Sequence, residues 1–185
     1  NLGFAGSDTA FKETLDLLDW PMLCEQLSKF ACTSQGKREC KAFQIPNDFL
    51  TTQKKLSITV ELNSLDNDLD GGLNFEGVHD ISKVVLHCSK GGVATGLELL
   101  NISETLRAAR RIKRAIEEPL LRPYTTTLLS GLKSSLELEK TIEFGLEEGG
   151  RVADRASEKL SSLRCKLNDL RRDRRDLLQD LIRRN

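Results

Sequence analysis

The chain ends with the stretch LSSLRCKLNDLRRDRRDLLQDLIRRN, which runs from Leu160 to Asn185. Apolar residues recur in it at steps of three and four, with one interruption at Arg174. A period of about 3.5 residues lines one edge of a helix and favours knobs-into-holes packing against a second helix. The stretch therefore predicts a long coiled-coil helix with a leucine seam. The leucine seam consists of Leu160, Leu163, Leu167, Leu170, Leu177 and Leu181.

The seam needs a partner because its apolar edge is narrow. After Arg164 the positions outside the seam are strongly charged, as in RRDRRD at residues 171–176. The alternative is an ordinary amphipathic helix that lies along its own domain, since a stripe at helical spacing usually belongs to a core. Three partners are open: a returning helix of the same arm beyond residue 185, a second copy of this chain, or another protein.

Composition agrees with a helical protein that has long solvated faces. Charged residues make up 30% of the chain and aromatic residues only 5%. The formal net charge of zero hides an asymmetry, because residues 151–185 hold 11 Lys and Arg against 6 Asp and Glu. No apolar run approaches the roughly 20 residues that cross a bilayer. The five cysteines are widely spaced and form no CxxC pair, which predicts reduced thiols in a soluble intracellular protein without a membrane partner.

The pattern of caps and apolar faces predicts an all-α fold, with a helical bundle core followed by the long coiled-coil helix. Residues 1–13 carry little pattern and predict a loose lead-in, residues 14–150 a helical core domain, and residues 151–185 an outgoing arm. Helices are expected to start at Asp19, near Thr33, at Asp48 and at Thr95, where polar side chains can accept a bond from a first-turn N–H. One further helix is expected within residues 124–150, with its inward-facing positions running from Leu128 to Ile142 or Phe144.

Motifs for catalysis, cofactor binding or metal binding are absent from the sequence. Residues 72–77 have the glycine spacing of a phosphate loop, but Val78 and His79 stand where that loop needs Lys and Ser or Thr. His79 and His87 are eight residues apart and lack the spacing of a metal-binding helix. No catalytic, cofactor-binding or metal-binding residue is therefore predicted.

Two basic clusters could contact nucleic acid through its phosphates. The alternative is that they are solvated helix faces, and no aromatic residues lie between the arginines to stack on bases. The first cluster consists of Arg107, Arg111 and Arg114, and the second of Arg171, Arg172 and Arg175.

Three segments together resemble the N-terminal region of the MutS-two branch of the MutS family. They are LLDWPMLCEQLSKFACTSQGKREC at residues 17–40, KGGVATGLELLNISETLRAARRIK at residues 90–113, and VADRASEKLSSLRCKLNDLRR at residues 152–172. The second segment is the most specific. In the third, Asp154, Ala156, Ser157 and Leu160 are similar to the start of the family's long lever helix, and Glu158 stands where the family often has proline.

The resemblance implies a non-catalytic segment of a larger dimeric ATPase that processes DNA. Family members act on branched or recombining DNA, in some bacteria on stalled ribosomes, and commonly carry a nuclease domain. ATP and magnesium are implied for the full-length protein and not for these residues. The resemblance also implies that the returning lever helix, or a second copy, covers the seam. Plant-like members lie in plastids or mitochondria, and others in the cytoplasm. The alternative is a stand-alone helical adaptor that homodimerises through the seam.

Overall fold

The structure is a computed structural model that describes residues 5–46, 48–133 and 135–184. Regular structure in these residues is helical, apart from an isolated bridge between Leu146 and Val152. The predicted all-α class, with a helical bundle and a long C-terminal helix, is confirmed. The helices are α1 (Ala5–Leu17), α2 (Trp20–Phe30), α3 (Ser34–Lys41), α4 (Phe49–Asp68), α5 (Ser82–Ser89), α6 (Gly96–Ile116), α7 (Pro123–Leu129), α8 (Leu136–Gly145) and α9 (Glu158–Arg184), with a short 3₁₀ turn at Asp154–Ala156.

The described residues fall into two compact units. The first unit comprises residues 5–83 and 104–133, and the second comprises residues 84–103 and 135–184. Helix α6 contributes its first eight residues to the second unit and the rest to the first. Each compact unit combines two separate stretches of the chain, whereas the sequence predicted one continuous core at residues 14–150 and one continuous arm at residues 151–185. The predicted division remains a prediction.

In the first unit, α2 packs against α1 and α3, and α4 packs against α7. The Glu61 carboxylate holds the second pair together, since it accepts hydrogen bonds from the Thr125 N–H at 2.7 Å and the Tyr124 N–H at 3.2 Å. Burial by itself would raise the pKa of Glu61, but these bonds and one from the Thr125 hydroxyl together hold that pKa below its ordinary value. Glu61 is therefore bound as a carboxylate.

Three of the four predicted helix caps are present. The Thr33 hydroxyl accepts from the Gly36 N–H at 3.0 Å, and the Asp48 carboxylate accepts from the Thr51 N–H at 2.7 Å. Thr95 and Glu98 form a reciprocal capping box at the start of α6. Asp19 precedes α2 as predicted, but its backbone is left-handed at φ 50° and its side chain makes no capping bond. Its predicted role as a side-chain cap is therefore wrong.

Two predicted segments differ from the structure. Residues 5–13, expected as part of a loose lead-in, belong to α1, while residues 1–4 lie outside the described residues. Helix α1 packs against α2 in the structure. Its own apolar stripe is too weak to indicate a helix from the sequence alone. The single helix expected within residues 124–150 is two helices, α7 and α8. Gly131 lies between them, where its conformational freedom costs about 1 kcal/mol in a continuous helix.

The second unit is built around the base of α9. Ala153 is fully buried, and its N–H donates to the Gly145 carbonyl at 2.9 Å. The start of α6 meets the turn at residues 147–150 so closely that a Cβ on Gly96 would lie 1.8 Å from the Gly150 carbonyl oxygen. Gly150 also has φ +78°, a conformation that favours glycine. Backbone contact without side chains thus joins α6 to the turn that leads into α9.

Candidate functional site

The long helix α9 is fixed at its base by two arginines. Arg155 donates to the Glu143 carbonyl at 2.8 Å and to the Leu146 carbonyl at 2.9 Å, at the end of α8. Arg164 donates to the Val152 carbonyl at 2.8 Å and forms an ion pair with Asp154. The Arg155 bonds thus connect the 3₁₀ turn before α9 to the end of α8, and the Arg164 bonds connect the second turn of α9 to residues 152–154.

Beyond this base the helix is uncovered. It has 27 residues, which corresponds to a rod of about 40 Å at 1.5 Å per residue. Every side chain from residue 165 to residue 183 is exposed. A helix lying along its own domain would bury one face, so the structure does not show the arrangement that the simple amphipathic alternative requires.

The leucine seam is exposed along the uncovered part of α9. Leu160, at the base, is half-buried. The exposed fraction of the other five leucines runs from 46% at Leu167 to 66% at Leu170. The structure thus places the predicted residues along one stretch of helix without a covering partner. Whether they form a coiled-coil interface remains a prediction.

Two apolar residues beside the seam were not among the predicted site residues. Leu178 is 53% exposed and Ile182 is 77% exposed. Each follows a seam leucine directly, so the apolar edge broadens over the last two turns to four side chains, Leu177, Leu178, Leu181 and Ile182. The sequence already indicated this broader edge, because Leu178 and Ile182 are four residues apart and therefore lie on the same face of a helix. A partner helix must therefore offer a wider apolar surface at this end than at the base.

The second basic cluster lies on the exposed part of α9. Arg171, Arg172 and Arg175 lie close together with Arg174 and Asn168, around a shallow depression of about 550 Å³. Closely spaced guanidinium groups on a solvated helix can bind phosphate groups by charge. The structure therefore brings together the three arginines predicted here, and adds Arg174.

Two arginines of the first basic cluster, Arg107 and Arg111, lie among neighbouring acidic and carbonyl groups. Arg111 donates to the Glu76 carbonyl at 2.6 Å. Arg107 and Arg111 line a shallow groove of about 380 Å³ together with Glu76, His79 and Glu104. The His79 ring lies 2.6 Å from the Glu104 carboxylate. These contacts favour a role for the arginines in fixing the loop before α5 against α6.

Arg114, the third member of that cluster, is exposed and is not among the residues that line the groove. The structure therefore brings Arg107 and Arg111 together in one groove and leaves Arg114 outside it. Nucleic-acid contact by any of the three is still a prediction.

Contacts from α3 also hold the loop before α5. Arg38 of α3 forms an ion pair with Asp80. The Arg38 guanidinium, together with hydrogen bonds from Ser82, lowers the pKa of Asp80 to about 2, and the pKa of Arg38 is raised in return. The Gln35 amide of α3 also donates to the His79 carbonyl at 3.0 Å. The polar groups of this region thus bind one another.

Among residues 5–46, 48–133 and 135–184, no three His, Cys, Asp or Glu side chains are grouped so that they could hold a metal ion. Within the part of the chain that the structure describes, no helix combines the length and the apolar character needed to cross a membrane.

Comparisons with known proteins give one consistent name. No protein-family model matches the chain. It is 37% identical over 176 residues, or 95% of its length, to a Synechocystis protein named Endonuclease MutS2. Proteins of the same name from Symbiobacterium thermophilum and Listeria monocytogenes are 29% and 28% identical, each over 93% of this chain. The chain spans about a fifth of the length of these curated relatives. The similarity therefore covers both compact units and concerns one segment of much longer proteins.

Proposed function

Because the chain is homologous to the MutS-two branch of the MutS family, we propose that it forms the helical core and the outgoing lever helix of a MutS-like DNA-processing protein. Its relatives are named endonucleases. In this proposal the segment is non-catalytic, and it transmits motion between an ATPase elsewhere in the protein and a distant nucleic-acid contact. ATP, magnesium and DNA or ribosome binding would then belong to the full-length protein.

The observation that carries the proposal is the uncovered leucine seam on α9. Fully burying a leucine contributes about 1.5–3 kcal/mol, so five exposed leucines in one line leave a large driving force unused. The charged residues around the seam make it too narrow for a globular interior. A second long helix fits this surface, and two paired helices make a stiff rod that suits a lever.

The base of α9 supports a mechanical role. A lever transmits motion only when its attachment resists bending. Arg155 and Arg164 bind backbone carbonyls on the preceding residues, and the Gly96–Gly150 contact leaves no space for a side chain between α6 and the turn. A displacement of the first residues of α6 would therefore be transmitted to the base of α9 almost undiminished.

Sedimentation equilibrium of the 185-residue chain tests the proposal against the homodimerising adaptor. The lever proposal expects a monomer whose seam binds an apolar dye such as ANS, and expects less dye bound by the variant L167Q/L170Q. The matched control is L120Q/L121Q, which changes two exposed leucines outside the seam. A stable dimer that is weakened by L167Q/L170Q and not by L120Q/L121Q would favour the adaptor. A monomer with a solvent-protected seam would overturn both.

A further inference from the structure

The charged side chains of α9 are sorted into separate faces between residues 168 and 180. At about 100° per residue, three arginines lie within a sector of about 100°, and four aspartates lie within another of about 60°. The two sectors and the leucine seam lie about 120° apart around the helix axis. The remaining arginine of this stretch, Arg174, lies at the seam. The arginine face consists of Arg171, Arg172 and Arg175, and the aspartate face consists of Asp169, Asp173, Asp176 and Asp180.

The arginine face has no partner within the part of the chain that the structure describes. Its three side chains are exposed, and none of them makes an ion pair or a hydrogen bond with the described residues. Other arginines are bound: Arg38 pairs with Asp80, and Arg164, lower on the same helix, pairs with Asp154. The positive charge of the arginine face is therefore available to another molecule.

The sequence around two of these arginines places no acidic residue where it could neutralise them. Residues three or four positions apart are neighbours on a helix surface. At these positions Arg171 has Leu167, Asn168, Arg174 and Arg175, and Arg175 has Arg171, Arg172, Leu178 and Gln179. Like charges at this spacing destabilise a helix. Arg171 and Arg175 therefore repel each other unless an anion from outside lies between them.

The neutral side chains on the arginine face indicate what kind of anion it suits. Asn168 and Gln179 lie in the same sector, and no apolar or aromatic residue between them does so. Arginine, asparagine and glutamine all donate to phosphate oxygens, and arginine can donate two parallel N–H bonds. A protein partner would need large anchoring side chains at the centre of its interface, and a single nucleic-acid strand would need aromatic rings for stacking. The face therefore suits the phosphate backbone of a duplex.

The arginine face stays accessible when the leucine seam is covered. Arg172 and Arg175 lie about 170° and about 110° from the middle of the seam, so a helix packed on the seam leaves both at the surface. Arg171 borders the seam, and its long side chain can extend past a covering helix. A phosphate contact here is thus independent of what covers the seam.

We propose that α9 contacts the phosphate backbone of a nucleic-acid duplex through its arginine face, and that the aspartate face repels the duplex from the other side. The guanidinium groups replace the counterions that surround the phosphates, which makes the contact independent of base sequence and sensitive to salt. The inference rests on the proposed function, in which the arm belongs to a protein that processes DNA. It goes further in placing a contact on the arm itself and on one side of the helix.

Fluorescence anisotropy of a short labelled DNA duplex with the 185-residue chain tests the arginine face at about 50 mM salt. R171Q/R175Q should weaken binding about tenfold and lower the slope of log affinity against log salt by about two, one for each lost contact. The matched control is K159Q/K166Q, which also removes two positive charges from exposed side chains of α9. These lysines lie about 180° from the arginine face, so the control should weaken binding less than about twofold.

The aspartate face gives a second comparison. D169N/D173N changes the net charge by as much as R171Q/R175Q, in the opposite direction and at the same level of the helix. It should tighten binding less than about twofold, because it adds no phosphate contact. Circular dichroism should show the same helix content in all variants. Equal weakening by R171Q/R175Q and K159Q/K166Q, or a tightening by D169N/D173N as large as the loss, would show attraction by net charge alone and would refute the arginine face.

Other probes identify the anion. DNA and RNA duplexes of one length should both bind, and the tighter of the two indicates the natural backbone. A glutamate peptide of equal charge that binds as tightly as the duplexes would overturn the assignment to phosphate. None of these failures touches the proposed function, because the sedimentation and dye experiments depend on the leucine seam and not on the arginines. A monomer with a solvent-protected seam would overturn the lever proposal, whatever the arginine face binds.

Discussion

Helices α6 and α9 carry apolar stripes of similar regularity, but their surroundings differ. In α6 the apolar stripe is buried or half-buried along its length, and Ile116 is only 5% exposed. The stripe consists of Leu99, Ile102, Leu106, Ala109 and Ile116. In α9 the seam leucines beyond the base are about half exposed or more. Periodicity thus predicts that a helix forms and which face is apolar. It does not show whether the covering element lies within these residues.

The largest expected effect is a difference in the free energy of unfolding between a variant in α6 and a variant in α9. Ile116→Ala should lower the free energy of unfolding by about 3 kcal/mol, because it removes buried methyl groups and leaves a cavity. Leu170→Ala, on the exposed seam, should change it by less than about 0.5 kcal/mol. Urea unfolding followed by circular dichroism measures both. Similar losses for the two variants would mean that the seam is covered within the chain.

A smaller effect concerns stability in acid, and it comes from the ion pair between Arg38 of α3 and Asp80 in the loop before α5. The pKa of Asp80 is about 2 in the folded chain, below the ordinary value of 3.8. The stabilisation by the Arg38–Asp80 pair is therefore complete above pH 3.8, and it is lost as the pH falls from 3.8 to about 2. Asp80→Asn should remove this part of the pH dependence of the urea midpoint.

Arg38→Gln should have a similar effect on the pH profile, because it removes the guanidinium that lowers the pKa of Asp80. If both variants kept the wild-type loss of stability in acid, the stabilisation would have to come from other carboxylates, such as Asp48 or Glu61, whose pKa values are also lowered.

The smallest expected effect concerns the exposed arginines of the second basic cluster on α9. Arg172→Gln with Arg175→Gln should weaken binding of a short DNA duplex and reduce the slope of log affinity against log salt by about one per lost phosphate contact. Stability should change by less than about 0.5 kcal/mol, since both side chains are exposed. The control matched for charge is Lys12→Gln with Lys54→Gln, which also removes two positive charges from exposed side chains. Equal weakening by the control would indicate attraction by net charge alone.

Local signals predicted much of the fold. The caps at Thr33, Asp48 and Thr95 were recognisable because a short polar side chain before an apolar stripe satisfies a first-turn N–H. The end of α5 carries a local signal of the same kind, because Gly91 follows the helix and its positive φ of +84° is accessible to glycine. Asp19 has the same composition signal, but its left-handed backbone changes the geometry. A cap is therefore predictable as a position more readily than as a hydrogen bond.

Other features depended on residues distant in the chain. The partners of Arg111 and Glu61 lie 35 and 64 residues away, and no local pattern indicates such contacts. The gap between α7 and α8 depends on whether the cost of Gly131 is offset by packing. For the candidate site, the seam leucines followed from periodicity alone, and the pair Leu178 and Ile182 could be read from its spacing, whereas the exposure of all these side chains was decided by the tertiary structure.

The sequence by itself determined the helical class, the seam residues and the charges beside them, because periodicity and capping act over one or two turns. It also carried the resemblance that the relatives confirm. Only the tertiary structure decided that the apolar stripe of α6 is buried or half-buried while the side chains of α9 beyond its base are exposed, and that Arg164, Arg155 and the Gly96–Gly150 contact fix that base. Burial is a property of surfaces brought together from distant parts of the chain, and a local pattern contains one of those surfaces at a time.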